Sequence, residues 1–158
     1  MTTRAVTRRK VAWRPAVDDL PLLNPTEFPD CFVCGPENPE GLGLRIHQDG
    51  TDAVARFLPH TTHIGYPDRV HGGLIGMLVD EMLVYAGAPH GLWGMTAKVR
   101  YWLRTPIPVG LELTLRGRLI QRSDRGFRPV VSIHLPDGTL CAEGEGMCVI
   151  RQAPVRAS

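Results

Sequence analysis

No run of about 18 apolar residues occurs in this 158-residue chain, so nothing in it reads as a helix that crosses a bilayer. No apolar segment backs the basic residues near its start, which argues against a secretory signal and makes a reducing cytoplasm the expected setting. The formal charge of +2 is too small a surplus to make nucleic acid or a membrane surface the main partner. A Gly-x-Ser-x-Gly elbow is missing, as are a phosphate loop and a dinucleotide fingerprint, so a serine hydrolase and the common nucleotide-binding folds have no support. Internal repeats and low-complexity tracts are absent too.

Cysteine is sparse: Cys31, Cys34, Cys141 and Cys148. Cys31-Phe32-Val33-Cys34-Gly35 has the spacing of half a zinc knuckle, but a structural zinc site wants a second close ligand pair. Cys141 and Cys148 do not offer one. Seven residues apart in a strand-like run, they would point to opposite faces, over about 20 Å apart at roughly 3.3 Å per residue. Free thiols are therefore expected, with no metal and no cofactor.

What is present fits one domain that buries roughly two thirds of its unfolded surface. Arg4, Arg8, Arg9, Lys10 and Arg14 stand in a leading stretch without acidic residues. Together with the Pro-punctuated segment up to residue 28, they read as an extended arm lying over the domain. The domain then covers 29–152, and 153–158 form a tail.

Within the domain, Pro36-Glu37-Asn38-Pro39-Glu40-Gly41 is a turn cluster. Leu42, Leu44 and Ile46 then alternate with smaller or polar residues as a first strand. Asp49-Gly50 is a hairpin-type turn leading to a second strand with Ala53, Ala55 and Phe57. The segment 70–87 predicts a helix, ended by Gly87, Pro89 and Gly91. Four strands follow at about 94–104, 111–121, 126–135 and 139–150, and their short separators argue for an antiparallel meander.

The helix is the informative element. It is apolar almost all the way round, which means burial at the centre of a fold. Yet it opens on His71-Gly72-Gly73 and carries Asp80 and Glu81 mid-length, and carboxylates rarely enter apolar surroundings unless paired, hydrogen-bonded or chemically active. A curved antiparallel sheet of five to six strands wrapped round this helix would bury it, giving an α+β fold. The sheet edges left over make a dimer the expected completion.

His71-Gly72-Gly73 followed by Asp80 resembles the signature of the phenylacetate-pathway (PaaI-like) type of hotdog-fold acyl-CoA thioesterase. The Cys31–Leu42 lead-in, His63-Ile64-Gly65-Tyr66-Pro67, Thr96–Tyr101 and Arg104-Thr105-Pro106-Ile107-Pro108 resemble the same group, over residues 30–150. The resemblance implies a hotdog fold and hydrolysis of an acyl-CoA thioester in a homodimer or homotetramer. In the family the N–H of the first glycine, here Gly72, holds the developing oxyanion, and Asp80 matches the carboxylate that acts as nucleophile or general base. Thr96 matches a Thr or Ser that helps orient the water or the carboxylate, and His71 orients the loop or contacts substrate. Gly73, His63, Leu74, Met77, Tyr85, Arg100 and Arg104 are the candidate substrate-binding residues. Some members place an Asn shortly before the His-Gly-Gly turn; this chain has Gly65 near that place, with His63 as the candidate substitute. Coenzyme A enters as part of the substrate, and Arg122, Arg125 and Arg128 are further candidates for its phosphates.

Two points come from the residues alone. Gly72 and Asp80 are eight residues apart, about 12 Å along an intact helix axis, so one carbonyl cannot touch both unless they come from different subunits. On strict strand alternation Thr96 shares a face with Lys98, Arg100 and Arg104, opposite the apolar Val99, Tyr101 and Leu103; a place at a dimer edge would reconcile this with a catalytic role. Glu81, about 100° further round the helix, reads as a packing or ion-pair residue. The rival readings are a non-catalytic acyl-CoA sensor or carrier, which has no need of Asp80, and an enoyl-thioester hydratase or dehydratase, whose Asp/His pair is not evident here.

Overall fold

The computed structural model describes residues 16–152; the basic cluster between Arg4 and Arg14 lies outside them. Two strands open the domain, β1 (Ile46–Asp49) and β2 (Asp52–Phe57), followed by one helix, α1 (Gly72–Tyr85). Four more strands complete it: β3 (Trp93–Leu103), β4 (Leu113–Arg122), β5 (Gly126–His134) and β6 (Leu140–Arg151). No helix among the described residues is long and apolar enough to cross a membrane.

The β1–β2 hairpin turns at Gly50, whose φ of 63° lies in the left-handed region that glycine adopts without a Cβ penalty. The first strand starts at Ile46, later than the alternation of Leu42 and Leu44 predicts. Gly43, at φ 60°, interrupts the extended backbone there. The N–H groups of Leu42 and Leu44 go instead to Phe32 and Val33 carbonyls, both at 2.8 Å. On the outer side of β1, the Leu23 N–H bonds to the Ile46 carbonyl and the Gln48 N–H to the Pro21 carbonyl, each at 2.8 Å. Asn24 locks this lead-in by accepting from the Ile46 N–H at 2.7 Å and donating to the Leu44 carbonyl at 2.9 Å.

All pairings are antiparallel in one six-stranded sheet of order β1-β2-β4-β5-β6-β3. The expected meander holds only for β4, β5 and β6. Strand β3 does not pair with β4 but crosses to the far side of β6 and forms a sheet edge. The reason lies in the connection: Pro106 and Pro108 lack the N–H groups that a hairpin ladder would need. That segment is tied elsewhere, with the Val70 N–H on the Ile107 carbonyl at 2.9 Å and the Val109 N–H on the Asp68 carbonyl at 3.3 Å.

Helix α1 lies across one face of the sheet, touching β2 to β6. Ile75, Leu78, Val79, Met82 and Leu83 are buried in one core with Leu113, Leu115, Phe127 and Ile133, each such side chain contributing about 1.5–3 kcal/mol. Glycine in the sheet permits the close approach. A Cβ on Gly144 would stand 2.4 Å from the Val79 Cγ1, and one on Gly117 would stand 2.6 Å from the Met82 carbonyl oxygen. The result is the hotdog fold that the motifs imply.

Candidate active site

The start of α1 is built around His71, its N-cap. The His71 Nδ1 accepts the Gly73 N–H at 2.9 Å, while the Leu74 and Ile75 N–H groups reach the His71 carbonyl at 3.0 and 3.3 Å. The His71 N–H donates to the His63 carbonyl at 2.9 Å, tying the turn to the preceding loop. Of the first helical donors this leaves the Gly72 N–H without a partner among the described residues. An N–H of this kind, at the positive end of the helix dipole, suits a developing oxyanion. Gly72 has a packing reason as well: a Cβ there would meet the Leu103 side chain at 2.8 Å.

Gly72, Gly76 and Asp80 form one row on α1 at four-residue steps. The row runs along β3: Gly72 meets Leu103, and Gly76 meets the Tyr101 ring, where a Cβ would approach to 2.6 Å. Asp80 continues the row and is half-buried, close enough to Cys148 and Glu81 for its charge to raise the pKa of both.

Thr96 arrives at the same place by a route that alternation does not reveal. The β3–β6 register pairs Thr96 with Cys148 and then Lys98 with Met147, leaving Ala97 as an extra residue. This bulge changes the parity of the strand. Thr96 therefore turns to the helix side, while Lys98 and Arg100 face outward. The sequence expectation that Thr96 shares their face is corrected. Its Oγ1 is buried and makes no well-formed hydrogen bond among the described residues, with the Cys148 thiol as its polar neighbour. Burial pushes the Cys148 thiol up to about 11, with the Thr96 hydroxyl opposing and Asp80 adding to the rise. Cys148 is thus the common neighbour of Asp80 and Thr96. A carboxylate and a hydroxyl that share such a neighbour supply the two group types that can orient and deprotonate a water, or attack a carbonyl.

The other candidates are dispersed. The His63 Nδ1 accepts the His60 N–H at 3.0 Å, its ring packs against Phe57, and burial holds its pKa down, with His60 adding to the effect. Leu74 and Met77 are half-buried against the core. Tyr85 is buried, edge-on to Trp93, and donates to the Cys34 Sγ at 3.3 Å. Arg100 and Arg104 flank the Trp102 ring on the outer face of the sheet, paired with Glu145 and Glu143, and do not converge with Asp80. A groove of about 330 Å³ beside Cys148 instead gathers Arg122, Arg125 and Arg128 round Phe127 and Met147.

Sequence reading missed the setting of Glu81. No cation pairs with it among the described residues; its partner is the Cys31 thiol at 3.9 Å, fifty residues earlier in the chain. Burial pushes the Glu81 carboxyl above its usual range. Burial also pushes up the Cys34 thiol and the Tyr85 phenol beside it. The signals, a Cys-x-x-Cys pair and a second carboxylate in an apolar helix, were both present, but nothing in the sequence joins them.

No family model and no curated protein matches the chain; solved structures do. A thioesterase superfamily protein is 30% identical with a TM-score of 0.72, over 76% of this chain and 60% of its own. The chain therefore spans less than two thirds of that protein's length. The E. coli PaaI protein from the phenylacetic acid degradation operon is 19% identical with a TM-score of 0.65, over 71% of this chain and 82% of its own. A hypothetical thioesterase with coenzyme A from Streptococcus pneumoniae is 16% identical with a TM-score of 0.64, over 68% and 85%. Structures of the pneumococcal thioesterase include an aspartate-to-alanine and a threonine-to-alanine variant, sixteen residues apart. By fold, then, this chain is a hotdog protein. Its structural neighbours are thioesterase-superfamily proteins, PaaI among them.

Proposed function

We propose that this chain hydrolyses an acyl-CoA thioester to a carboxylic acid and free coenzyme A. The observation that carries the reading is a Gly72 N–H at the start of α1 without a partner among the described residues, on the same helix as an Asp80 that shares Cys148 as a neighbour with the buried Thr96 hydroxyl. Asp80 and Thr96 stand sixteen residues apart, the separation of the two substituted positions in the pneumococcal thioesterase. The coenzyme A held by that protein suggests the ligand class, and Arg122, Arg125 and Arg128 are the cations we assign to its phosphates.

The active unit is a dimer. Gly72 and Asp80 sit on one unbroken helix, about 12 Å apart along its axis, so one thioester carbonyl takes the Gly72 N–H of one subunit and Asp80 with Thr96 of the other. Strand β3 is the surface that joins them. It is an edge strand of 11 residues with exposed apolar side chains, Leu103 at 54% among them, and such an edge calls for a partner.

In the general-base route, Asp80 takes a proton from water as its oxygen attacks the carbonyl carbon. The Gly72 N–H and the helix dipole stabilise the oxyanion. The carbon–sulfur bond then breaks, and the leaving thiolate takes up the proton. In the nucleophilic route the Asp80 carboxylate attacks the carbonyl carbon, the carbon–sulfur bond breaks and coenzyme A leaves as thiolate. Water then hydrolyses the mixed anhydride, restoring the Asp80 carboxylate and releasing the acid with the proton that the thiolate takes up.

The test is free-thiol release from short, long and aromatic acyl-CoAs, comparing wild type with Asp80→Asn. Turnover falling at least about a hundredfold in a folded, dimeric variant supports the reading. Binding of acyl-CoA without any thiol release would make the protein a sensor or carrier. Turnover that survives the substitution would remove Asp80 from the chemistry.

A further inference from the structure

Cys31, Cys34 and Glu81 take no part in this hydrolysis, yet their sulfur and oxygen atoms all lie within 4.8 Å of one another. The two cysteines come from the turn that precedes the sheet, and Glu81 comes from the middle of α1. Tyr85, one helical turn further along, brings its hydroxyl to 3.3 Å from the Cys34 Sγ. Four soft or ionisable donors thus converge from two elements, and no basic side chain joins them among the described residues.

The turn is shaped round the first sulfur. The Cys34 N–H points at the Cys31 Sγ at 3.5 Å, and the Gly35 N–H closes on the Cys31 carbonyl at 2.9 Å. A Cβ on Gly35 would come within 2.4 Å of the Cys31 backbone, so only glycine lets the chain wrap this tightly. An N–H aimed at sulfur stabilises a thiolate, and the C-x-x-C spacing supplies two corners of a tetrahedral site. What the sequence lacked was a second close pair of ligands, and the fold provides oxygen donors in its place. Zinc–sulfur bonds of about 2.3 Å and zinc–oxygen bonds of about 2.0–2.2 Å place a tetrahedral sulfur–oxygen pair about 3.5–3.7 Å apart and a sulfur–sulfur pair about 3.8 Å apart. The Cys31 Sγ and Glu81 Oε1, at 3.9 Å, are already near that separation.

We propose that Cys31, Cys34 and Glu81 bind a zinc-class divalent cation, with Tyr85 or a water as fourth ligand. Two sulfurs in the donor set select zinc over magnesium or calcium. The cation supplies the positive charge that Glu81 lacks, and it staples the 31–35 turn onto α1 next to Asp80. A metal takes its sulfur ligands as thiolates and its carboxylate ionised, so binding releases protons and tightens as pH rises. The groups facing the site are Cys31 and Cys34 from the turn, and Asp80, Glu81 and Tyr85 from α1.

The full chain is stripped with a chelator under reducing conditions, then titrated with zinc against a chromophoric competitor and separately with cobalt(II). One equivalent per chain is expected, with thiolate-to-cobalt charge-transfer and tetrahedral ligand-field absorption. Cys31→Ser and the near-isosteric Glu81→Gln should weaken zinc by more than the roughly 10–100-fold typical of losing an outer-shell partner. The wild-type cobalt spectrum decides the matter even if a variant misfolds. Absence of thiolate–cobalt absorption, or zinc binding unchanged in a folded Glu81→Gln variant, overturns the proposal. These readouts follow metal and not turnover, so they are independent of the thioesterase test.

Discussion

Thr96 stands opposite Cys148 on the helix side of the sheet because the β3–β6 register slips at Ala97. That one extra residue turns a hydroxyl away from the solvent-facing row of Lys98 and Arg100 and towards the helix side of the sheet. The hydroxyl is then buried with no well-formed hydrogen bond among the described residues beyond its contact with the Cys148 thiol, a state that costs up to about 1–3 kcal/mol. Thr96→Val removes this cost while keeping the shape. The expected result is a melting temperature equal to or above wild type, with kcat lowered about tenfold or more for want of a group that orients water or carboxylate. A lowered melting temperature with normal kcat would make Thr96 a packing residue.

His71 shapes the anion-ready turn through the Gly73 N–H. His71→Ala should cost about 1 kcal/mol in denaturant unfolding, the usual consequence of losing an N-cap side chain, and His71→Asn should restore most of it. Equal stability of wild type and the alanine variant would show that the cap contributes nothing.

The helix sits close to the sheet because Gly144 leaves room for Val79. Gly144→Ala should destabilise by about 1–3 kcal/mol through overpacking. Adding Val79→Ala should recover part of that loss, giving a favourable coupling of at least about 0.5 kcal/mol in a double-mutant cycle. Simple additivity of the two changes would place the strain elsewhere.

Acid sensitivity should centre on Asp52, which receives Arg116 at 3.0 Å and Arg118 at 3.2 Å. Burial alone would raise its pKa, but the hydrogen bonds and charges of Arg118 and Arg116 outweigh it and hold the carboxyl below its ordinary value. A depressed folded pKa contributes stability that is present above the unfolded value of about 3.9 and is lost as pH falls through the folded one. Asp52→Asn should cost about 2 kcal/mol at neutral pH and flatten the acid limb of a stability-against-pH curve. An unchanged acid limb would show that other carboxylates govern it.

Much of the fold was legible because its signals are local. Apolar residues all round the segment 74–85 require a covering sheet. His71 capping Gly73, and the Asp49-Gly50 turn, are chemistry between near neighbours, and the helix ends where Gly87 and Pro89 predict. The resemblance to PaaI-like thioesterases rests on the same short-range patterns, and it drew attention to Gly72, Asp80 and Thr96 together.

Strand order, the face of Thr96 and the company of Glu81 needed the tertiary structure. Periodicity fixes which residues alternate but not which strands pair, so nothing local could announce that β3 leaves β4 for the far side of β6. A single-residue bulge at Ala97 leaves no mark on the residue pattern, yet it reverses every face beyond it. Cys31 and Glu81 meet across fifty residues only because α1 crosses the sheet where the 31–35 turn closes over it. The sequence by itself determined the elements and the chemistry each can carry. Which of those groups meet was decided by packing, because contacts between distant segments depend on where the whole chain folds back.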